Sequence, residues 1–564
     1  MADRATDPDL GLVADRATDP APDVPATTSV GVSELMSITP TQFEVDQSSG
    51  SQPTHSAMPD ALLSSSVWSD QQLSQEGIET IDTPIVTIGG GLGSLALVQC
   101  LNIARVPRTH YKVLAPTTGP TESFRFLAGN SQIRDADRLR SDSGSTMDNP
   151  WGFPSYAWRE AARERTIGPL WRSLTEPILS EFFTPRAGHV FDSVERETER
   201  LGWNQLIMPG WARLVRRRTG GGYFVLLSRD GQSRYTKAIR CRYAHISLGY
   251  PGMKLLADLQ EFRLTHSQHA HLVVGSYEPH EHLYTAAMMR PTTVLVRGSG
   301  IAASRVIERV LNIAEEKDHE VRIVHLFRTY VDQSQGKSPW FRRPGGDGWA
   351  YQPFNFPKSA WGGEMRDRMA GLHGADRAAL LSGLGGTTTA PRRDWRRQLK
   401  RHGQAGTYRQ LTGTVAALRP GHSGSQVRTV VATEGGPIEV DADYIVDATG
   451  MDANIEGHSV FADLLAHGGA RRNPTGRLEV SDDFEITGTA NEPGRLYATG
   501  GPTLGGHYAG VDSFLGLQYA ALRVADDLAS HGAIPPITAR SSAAGWWRWA
   551  RHRSEVDTEM RPTP

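Results

Sequence analysis

Twice in this chain of 564 residues, an apolar strand runs into a glycine turn and straight on into an apolar helix. That order confines the chain to open, mostly parallel α/β sheets. The first instance is Ile85-Val86-Thr87-Ile88, then Gly89-Gly90-Gly91-Leu92-Gly93-Ser94, then a helical stretch through Leu95 to Leu101. Tyr111 to Leu114 reads as the following strand. The turn fits G-x-G-x-x-S. Gly89 permits the tight bend. Gly91 lets backbone amides reach a pyrophosphate that a β-carbon would strike. Gly93 and Ser94 supply small residues where helix and strand pack. The helix that follows aims its unpaired N–H groups and positive dipole end at the same place.

The second instance begins 209 residues after the first, counting from Gly89 to Gly298. Thr293 to Val296 is a strand, and Gly298-Ser299-Gly300-Ile301-Ala302-Ala303 fits G-x-G-x-x-A, with Ala303 at the small position. Ala302 to Ala314 reads as a helix and Val321 to Leu326 as the next strand. Neither second strand ends in the acid that holds ribose hydroxyls. After the first, Glu122 is the nearest candidate; after the second stands Arg328, which suits a 2'-phosphate and favours NADPH over NADH. Strand patterns return at Gly413 to Ala417, Val427 to Ala432 and Tyr444 to Asp447, and again at Leu496 to Thr499. Each resumption ends in glycine, Gly450 in one case and Gly500-Gly501 in the other. The spacing predicts a first nucleotide domain interrupted by a second. Asp512, ahead of an apolar helix at Phe514 to Leu528, reads as its N-cap.

The rest of the composition removes other classes. Lys and Arg number 60 against 62 Asp and Glu, a net charge of -2, which argues against a general nucleic-acid or anionic-membrane binder. Two cysteines, Cys100 and Cys241, exclude a disulfide scaffold and a cysteine-rich metal centre, so no metal is expected. They lie too far apart in sequence for a redox-active C-x-x-C or C-x4-C pair. No apolar run is long enough to span a bilayer and the first residues do not read as a secretory signal, so a reducing cytoplasm is the expected location. The predicted organisation is a disordered extension over 1–78, a first nucleotide domain in two pieces (79–288 and 406–545), an inserted second, NAD(P)H-type domain (289–405) and a tail (546–564). A Leu/Val/Trp patch from Leu62 to Trp68 is expected to dock on the body. Trp546, Trp547 and Trp549 are expected to pin a last helix.

The arrangement resembles the flavoproteins with two dinucleotide-binding domains. Three stretches resemble their N-hydroxylating monooxygenase branch: Ile246-Ser247-Leu248-Gly249-Tyr250-Pro251-Gly252, Pro353-Phe354-Asn355-Phe356, and Gly505-Gly506-His507-Tyr508-Ala509-Gly510-Val511-Asp512. Arg138 to Asp142 and Asp148 to Pro154 look like the members that oxidise aspartate towards nitrosuccinate. The resemblance covers roughly residues 80–540 in motif order. It implies FAD held through Gly89, Gly91, Gly93, Ser94, Gly450, Gly501 and Asp512, and NADPH held through Gly298, Gly300, Ala303 and Arg328. It further implies oxygenation of an amine nitrogen through a C4a-hydroperoxyflavin, in secondary metabolism, with dimers or tetramers allowed. Small-molecule substrate and O2 are the implied partners. A dicarboxylate would need arginines, for which Arg138, Arg140 and Arg342 are the candidates, as against ion pairing or flavin phosphate contacts. No catalytic acid or base is singled out. The Phe-x-Gly-x3-His pattern of Baeyer–Villiger enzymes has only a loose echo, in Gly275 to His280. Baeyer–Villiger or S-oxygenation, an NADPH-dependent flavin reductase that does not oxygenate, and a flavin-binding scaffold are the alternatives.

Overall fold

The computed structural model describes residues 60–139, 141, 143–175, 183–228, 237–328, 330, 347–349, 364–383, 392–421 and 424–556. Arg140, Arg342 and the Pro353–Phe356 stretch lie outside these residues, as do Trp340 and Trp361.

Eighteen strands build four sheets among the described residues. In chain order they are β1 (Val67–Trp68), β2 (Glu79–Asp82), β3 (Ile85–Ile88), β4 (Tyr111–Ala115), β5 (Ile207–Pro209), β6 (Trp211–Arg218), β7 (Tyr223–Ser228), β8 (Lys237–Cys241) and β9 (Tyr243–Ile246). They continue with β10 (Val273–Gly275), β11 (Thr292–Arg297), β12 (Val321–Phe327), β13 (Tyr408–Thr412), β14 (Thr414–Pro420), β15 (Val427–Thr433), β16 (Gly436–Ala442), β17 (Tyr444–Asp447) and β18 (Arg495–Ala498).

The first nucleotide sheet has the order β18-β9-β3-β4-β5, all parallel. The second has the order β10-β17-β11-β12-β13, also all parallel. In each sheet the strand that enters a glycine turn is central, flanked by the strand that follows it in its own half and by one that returns after a long excursion. An antiparallel hairpin pair leads into each returning strand: β6-β7-β8 before β9, and β14-β15-β16 before β17. The two halves repeat one plan. All strands of the second sheet lie between β9 and β18, so that domain is inserted into the first.

Central strands read as continuous apolar runs because helices cover both faces of a parallel sheet. Ile85 to Ile88 and Tyr444 to Asp447 are buried at every position. The first-turn helix, Leu92–Ile103, is buried nearly all round. It packs against the long helix Phe514–Ser530. Leu95, Leu97, Val98 and Leu101 are fully enclosed, each contributing about 1.5–3 kcal/mol of burial.

Ordered structure begins earlier than the expected boundary at 78. Leu62 and Trp68 are buried, Trp68 Nε1 donates to Leu62 O at 2.8 Å, and β1 pairs with β6. Ser69 caps the helix Asp70–Gln75 with a full capping box. A short patch flanked by polar residues thus completes the edge of the β1-β6-β7-β8-β2 sheet. At the other end the helix Ala539–Ala550 crosses the expected boundary at 546. Trp549 pins it to the body, against Trp151 and Phe153, with ring centroids 6.0 and 5.8 Å away, whereas Trp547 is 55% exposed. A buried ion chain does the rest: Glu555 takes Arg548 Nε at 2.9 Å and also Arg200, which holds Glu197 at 2.7 Å.

Candidate functional site

The first turn starts at the carboxyl end of β3. Gly89 has φ +103°, and a β-carbon there would lie 2.3 Å from Ser247 O, just past the end of β9. One on Gly93 would lie 2.1 Å from Ser247 Oγ. Both glycines are therefore demanded by the fold. Gly91 is different. Its φ of -86° suits any residue, and a β-carbon on it would meet no protein atom within 4 Å. Neither backbone strain nor protein packing calls for glycine at the N-cap of the helix Leu92–Ile103. The backbone there is left open to a group approaching from outside.

The turn is held from inside the sheet by a buried chain of hydrogen bonds. Ser94 Oγ donates to Gly89 O, because the carbonyl can only accept. It therefore accepts from Thr87 Oγ1 at 2.8 Å. Thr87 accepts in turn from His245 Nδ1 at 2.7 Å, and His245 Nε2 takes the hydroxyl of Thr499 at 2.8 Å. The chain crosses β3 and β9 and reaches Thr499, just beyond β18. Burial pushes the His245 imidazole down to about 3, so it is neutral at physiological pH. In the sequence Thr87, His245 and Thr499 carry no signal beyond lying in or beside apolar strand patterns.

The second turn repeats the backbone closely. Gly298 has φ +113° and a β-carbon there would lie 2.3 Å from Ala448 O, just past β17. Gly300 caps the helix Ile301–Glu316 with φ -85° and ψ -171°, against -86° and -170° at Gly91. Ala303 stands fully buried where Ser94 stands in the first turn and carries no donor. His325 of β12 supplies one instead: its Nε2 donates to Gly298 O at 2.6 Å while Nδ1 accepts from Tyr408 Oη at 2.8 Å. Burial pushes His325 down to about 4. Phe327 and Trp349 pack on its ring at centroid distances of 4.0 and 4.6 Å.

Arg328 is exposed directly after β12, at the carboxyl edge of the second sheet. Gly450, with φ +124°, follows β17 and a β-carbon on it would meet nothing within 4 Å. Gly501 follows β18 and carries no β-carbon where the ring of Tyr250 lies, at 3.0 Å. The predicted glycines thus gather at the carboxyl ends of their two sheets, where α/β folds place ligands.

Three expectations are corrected. Asp512 is not the N-cap of the last nucleotide-domain helix. Ser513 is, accepting from Gly516 N at 3.0 Å, while Asp512 accepts the phenol of Tyr250 at 2.6 Å. A hydroxyl one residue later has the shorter reach the cap requires. Glu122 does not stand free for a ribose, since its Oε1 takes the amides of Thr118 and Gly119 at 3.0 and 2.6 Å. Arg138 is committed to Glu160, whose Oε2 lies 3.0 Å from its Nη1, and to Thr184 O. It is a structural ion pair in the described state, not a carboxylate receptor.

The Asp148–Pro154 stretch is anchored on two sides. Gln99 of the first-turn helix donates to Met147 O at 3.1 Å, and Gln518 of the long helix donates to Thr146 O and to Asn149 O, the latter at 2.6 Å. Asp148 is buried against Ser155 at 2.7 Å and Arg159 at 2.8 Å. Cys100 and Cys241 are both free and buried, and burial pushes both thiols up, Cys100 to about 12. Among the described residues no group of three or more His, Cys, Asp or Glu side chains could hold a metal, and no helix is long and apolar enough to cross a membrane.

No family model matches the sequence, and no curated protein matches it. Solved structures do. An ornithine N-hydroxylase of Kutzneria sp. 744, solved with reduced FAD, NADP+ and L-ornithine, superposes with a TM-score of 0.58 at 15% identity, over 80% of this chain and 100% of that one. The FAD-bound cadaverine monooxygenase of Erwinia amylovora gives 0.57 at 14% identity, over 82% and 96%. The L-lysine 6-monooxygenase of Pseudomonas syringae gives 0.55 at 14%, over 80% and 99%. The chain has the fold of these flavin N-hydroxylating monooxygenases, two Rossmann-like domains with one inserted in the other.

Proposed function

We propose that this protein is an FAD- and NADPH-dependent monooxygenase that oxygenates the amine nitrogen of a small substrate. The observation that carries the reading is Gly91: a glycine unexplained by its own backbone angles or by any protein neighbour, at the N-terminus of a buried helix, matched by Gly300 with almost the same angles in the second domain. Such a position fits a pyrophosphate lying against the backbone. Two of them on one chain fit a flavin and a nicotinamide nucleotide. The like-folded structures act on ornithine, lysine and cadaverine, which points to a primary amine.

FAD fits the first turn through the amides of Gly91 to Gly93, with Gly501 and Tyr250 at the carboxyl ends of β18 and β9. NADPH fits the second through Gly298 and Gly300, with Arg328 placed for a 2'-phosphate. A flavin reduced by nicotinamide supplies the activation of O2 that no side chain can supply. The chain's own residues fix both turns, through Ser94 and His325, and close the flavin side with the anchored Asp148–Pro154 stretch. Neutral histidines suit these two posts, since neither turn gains a proton in the working pH range.

Aspartate is the finer reading of the substrate. It rests on the resemblance at residues 138–142 and 148–154, and the pairing of Arg138 with Glu160 removes one of the three candidate arginines. NADPH-dependent oxygen uptake, measured over L-aspartate, L-ornithine, L-lysine and cadaverine with products identified by mass, tests both levels. An N-hydroxylated product from any amine supports the monooxygenase. Hydrogen peroxide matching NADPH one to one, unchanged by every amine, overturns it in favour of a flavin reductase.

A further inference from the structure

Among the described residues six arginines are buried: Arg108, Arg200, Arg216, Arg305, Arg477 and Arg548. Five have clear partners. Arg108 donates to Gly202 O at 2.8 Å and to Leu201 O. Arg200 and Arg548 share Glu555. Arg216 meets Asp463, and Arg305 lies 2.8 Å from Glu308. Arg477 has none. It is 7% exposed, its Nη1 is fully enclosed without a partner, and its guanidinium carbon stands 5.9 Å from the ring centroid of Tyr250. A charge in that state is costly unless something completes it.

The loop that carries Arg477 is built, not loose. Asn473 Oδ1 accepts from Thr475 N at 2.9 Å and from Arg477 N at 3.2 Å, while its Nδ2 donates to Leu478 O and Leu504 O at 3.1 and 2.9 Å. Leu478 N donates to Pro502 O at 2.9 Å. Arg477 is thereby fastened to the turn after β18, next to Tyr250 and Gly501. The nearby acids are engaged: Asp512 takes the phenol of Tyr250 at 2.6 Å and Asp452 takes Asn454 N at 3.0 Å. The helix Phe514–Ser530 opens two residues after Asp512 and adds the positive end of its dipole to the same crevice.

Resting on the flavin reading above, we propose that Arg477 is an anion-recognition residue of the flavin crevice, pairing with the delocalised negative charge that the flavin pyrimidine ring acquires on reduction. A planar guanidinium matches the N1 and C2-oxygen edge of that ring in shape and charge. An arginine held ready in a dry pocket stabilises the reduced form without reorganising. Its preference for the reduced over the oxidised flavin raises the flavin's potential. Burial lowers the basicity of Arg477, and Tyr250, Asp512 and Asp452 oppose that shift; a guanidinium keeps its proton in proteins.

The test compares the flavin-loaded wild type with Arg477→Met and Arg477→Lys. The midpoint potential of bound flavin and the dissociation constant of its sulfite adduct, an anion formed at N5, are read without substrate. Arg477→Met is expected to retain flavin, bind sulfite at least tenfold more weakly, and lower the two-electron potential by the roughly 30 mV that a tenfold change represents. Arg477→Lys, which keeps the charge and covers the case in which the methionine variant does not fold, is expected to fall between. Unchanged potential and sulfite affinity in a flavin-loaded Arg477→Met overturn the proposal. So does loss of activity confined to substrates bearing a carboxylate, such as L-ornithine, with cadaverine unaffected, because the arginine then serves the substrate. A wild type that takes up no flavin overturns the parent reading as well, which separates the two failures.

Discussion

The two glycine turns present one backbone with two ways of holding it. Both leave a glycine carbonyl facing the sheet interior, where an unpaired acceptor costs about 1–3 kcal/mol. At the first turn the donor is local: Ser94, five residues on, sits in the same helix and is backed by Thr87 and His245. At the second, Ala303 occupies that post, and the donor comes from the neighbouring strand through His325, backed by Tyr408 of β13. The first turn is thus tied towards β9 and β18, and the second towards β12 and β13. The small residue at the last position of the glycine pattern is therefore not interchangeable, because choosing alanine transfers the task to a strand residue 27 positions from the glycine it serves.

The largest effects are expected where both turns agree. Gly89→Ala and Gly298→Ala each place a β-carbon 2.3 Å from a backbone carbonyl on a positive-φ residue, and strain alone costs roughly 1–3 kcal/mol before the overlap is counted. Gly89→Ala should yield colourless protein. Gly298→Ala should stay yellow and lose flavin reduction by NADPH. Flavin content by absorbance and anaerobic bleaching separate the two outcomes. If both variants lose flavin, the assignment of one nucleotide to each turn fails.

A swap of donors sharpens the contrast. His325→Phe keeps the ring packing on Phe327 and Trp349 but strips the donor from Gly298 O. It should raise the KM for NADPH about tenfold, with kcat and flavin content retained. Adding Ala303→Ser rebuilds the first turn's arrangement and should recover most of that loss. Ser94→Ala should weaken flavin retention by a similar factor and leave the NADPH KM unchanged in the molecules that keep flavin. A double variant no better than His325→Phe alone would show that the histidine acts only as packing.

These pairings mark the limit of what the sequence displays. The glycine turns and their strands are legible because each depends on near neighbours in sequence, and the insertion is legible from the order in which those local patterns recur. The strand Tyr444–Asp447 falls where its pattern places it. His325 and His245 are not legible as donors, since within an apolar run they look like tolerated core histidines, and their partners are 27 and 158 residues away. For Arg138 the sequence leaves substrate contact and ion pairing both open, and only the fold, by bringing Glu160 beside it, shows the pairing. Arg477 leaves no local signal at all, because its significance lies in what it does not contact. The cap at Ser513 rather than Asp512 is a one-residue matter of reach, settled by Tyr250 claiming the carboxylate.

Acid should separate the two turns more gently. His245 and His325 are neutral when folded, with values pushed to about 3 and about 4, against about 6.5 when unfolded. Between those limits the unfolded chain binds more protons, so stability declines as pH falls below about 6.5, by up to roughly 1.4 kcal/mol per unit for each histidine. His325 protonates first on the way down and bears directly on the Gly298 carbonyl. A titration from pH 5 to pH 3.5 should weaken NADP+ binding while flavin remains bound, and His325→Phe should show a shallower fall in stability. Flavin loss ahead of NADP+ release would reverse the order.

The smallest effect concerns Arg328. It is exposed at the end of β12, so any contact with a 2'-phosphate is screened by solvent and salt, and exposed charge pairs contribute at most about 1 kcal/mol. Arg328→Ala should therefore reduce the preference for NADPH over NADH only several-fold, through the KM for NADPH, with the NADH constants nearly unchanged. The difference should shrink as salt is raised. A preference that survives intact would move phosphate recognition elsewhere on the second sheet's edge, and the comparison of the turns would stand without it, because both glycine carbonyls are held from the buried side and Arg328 acts only on the open one.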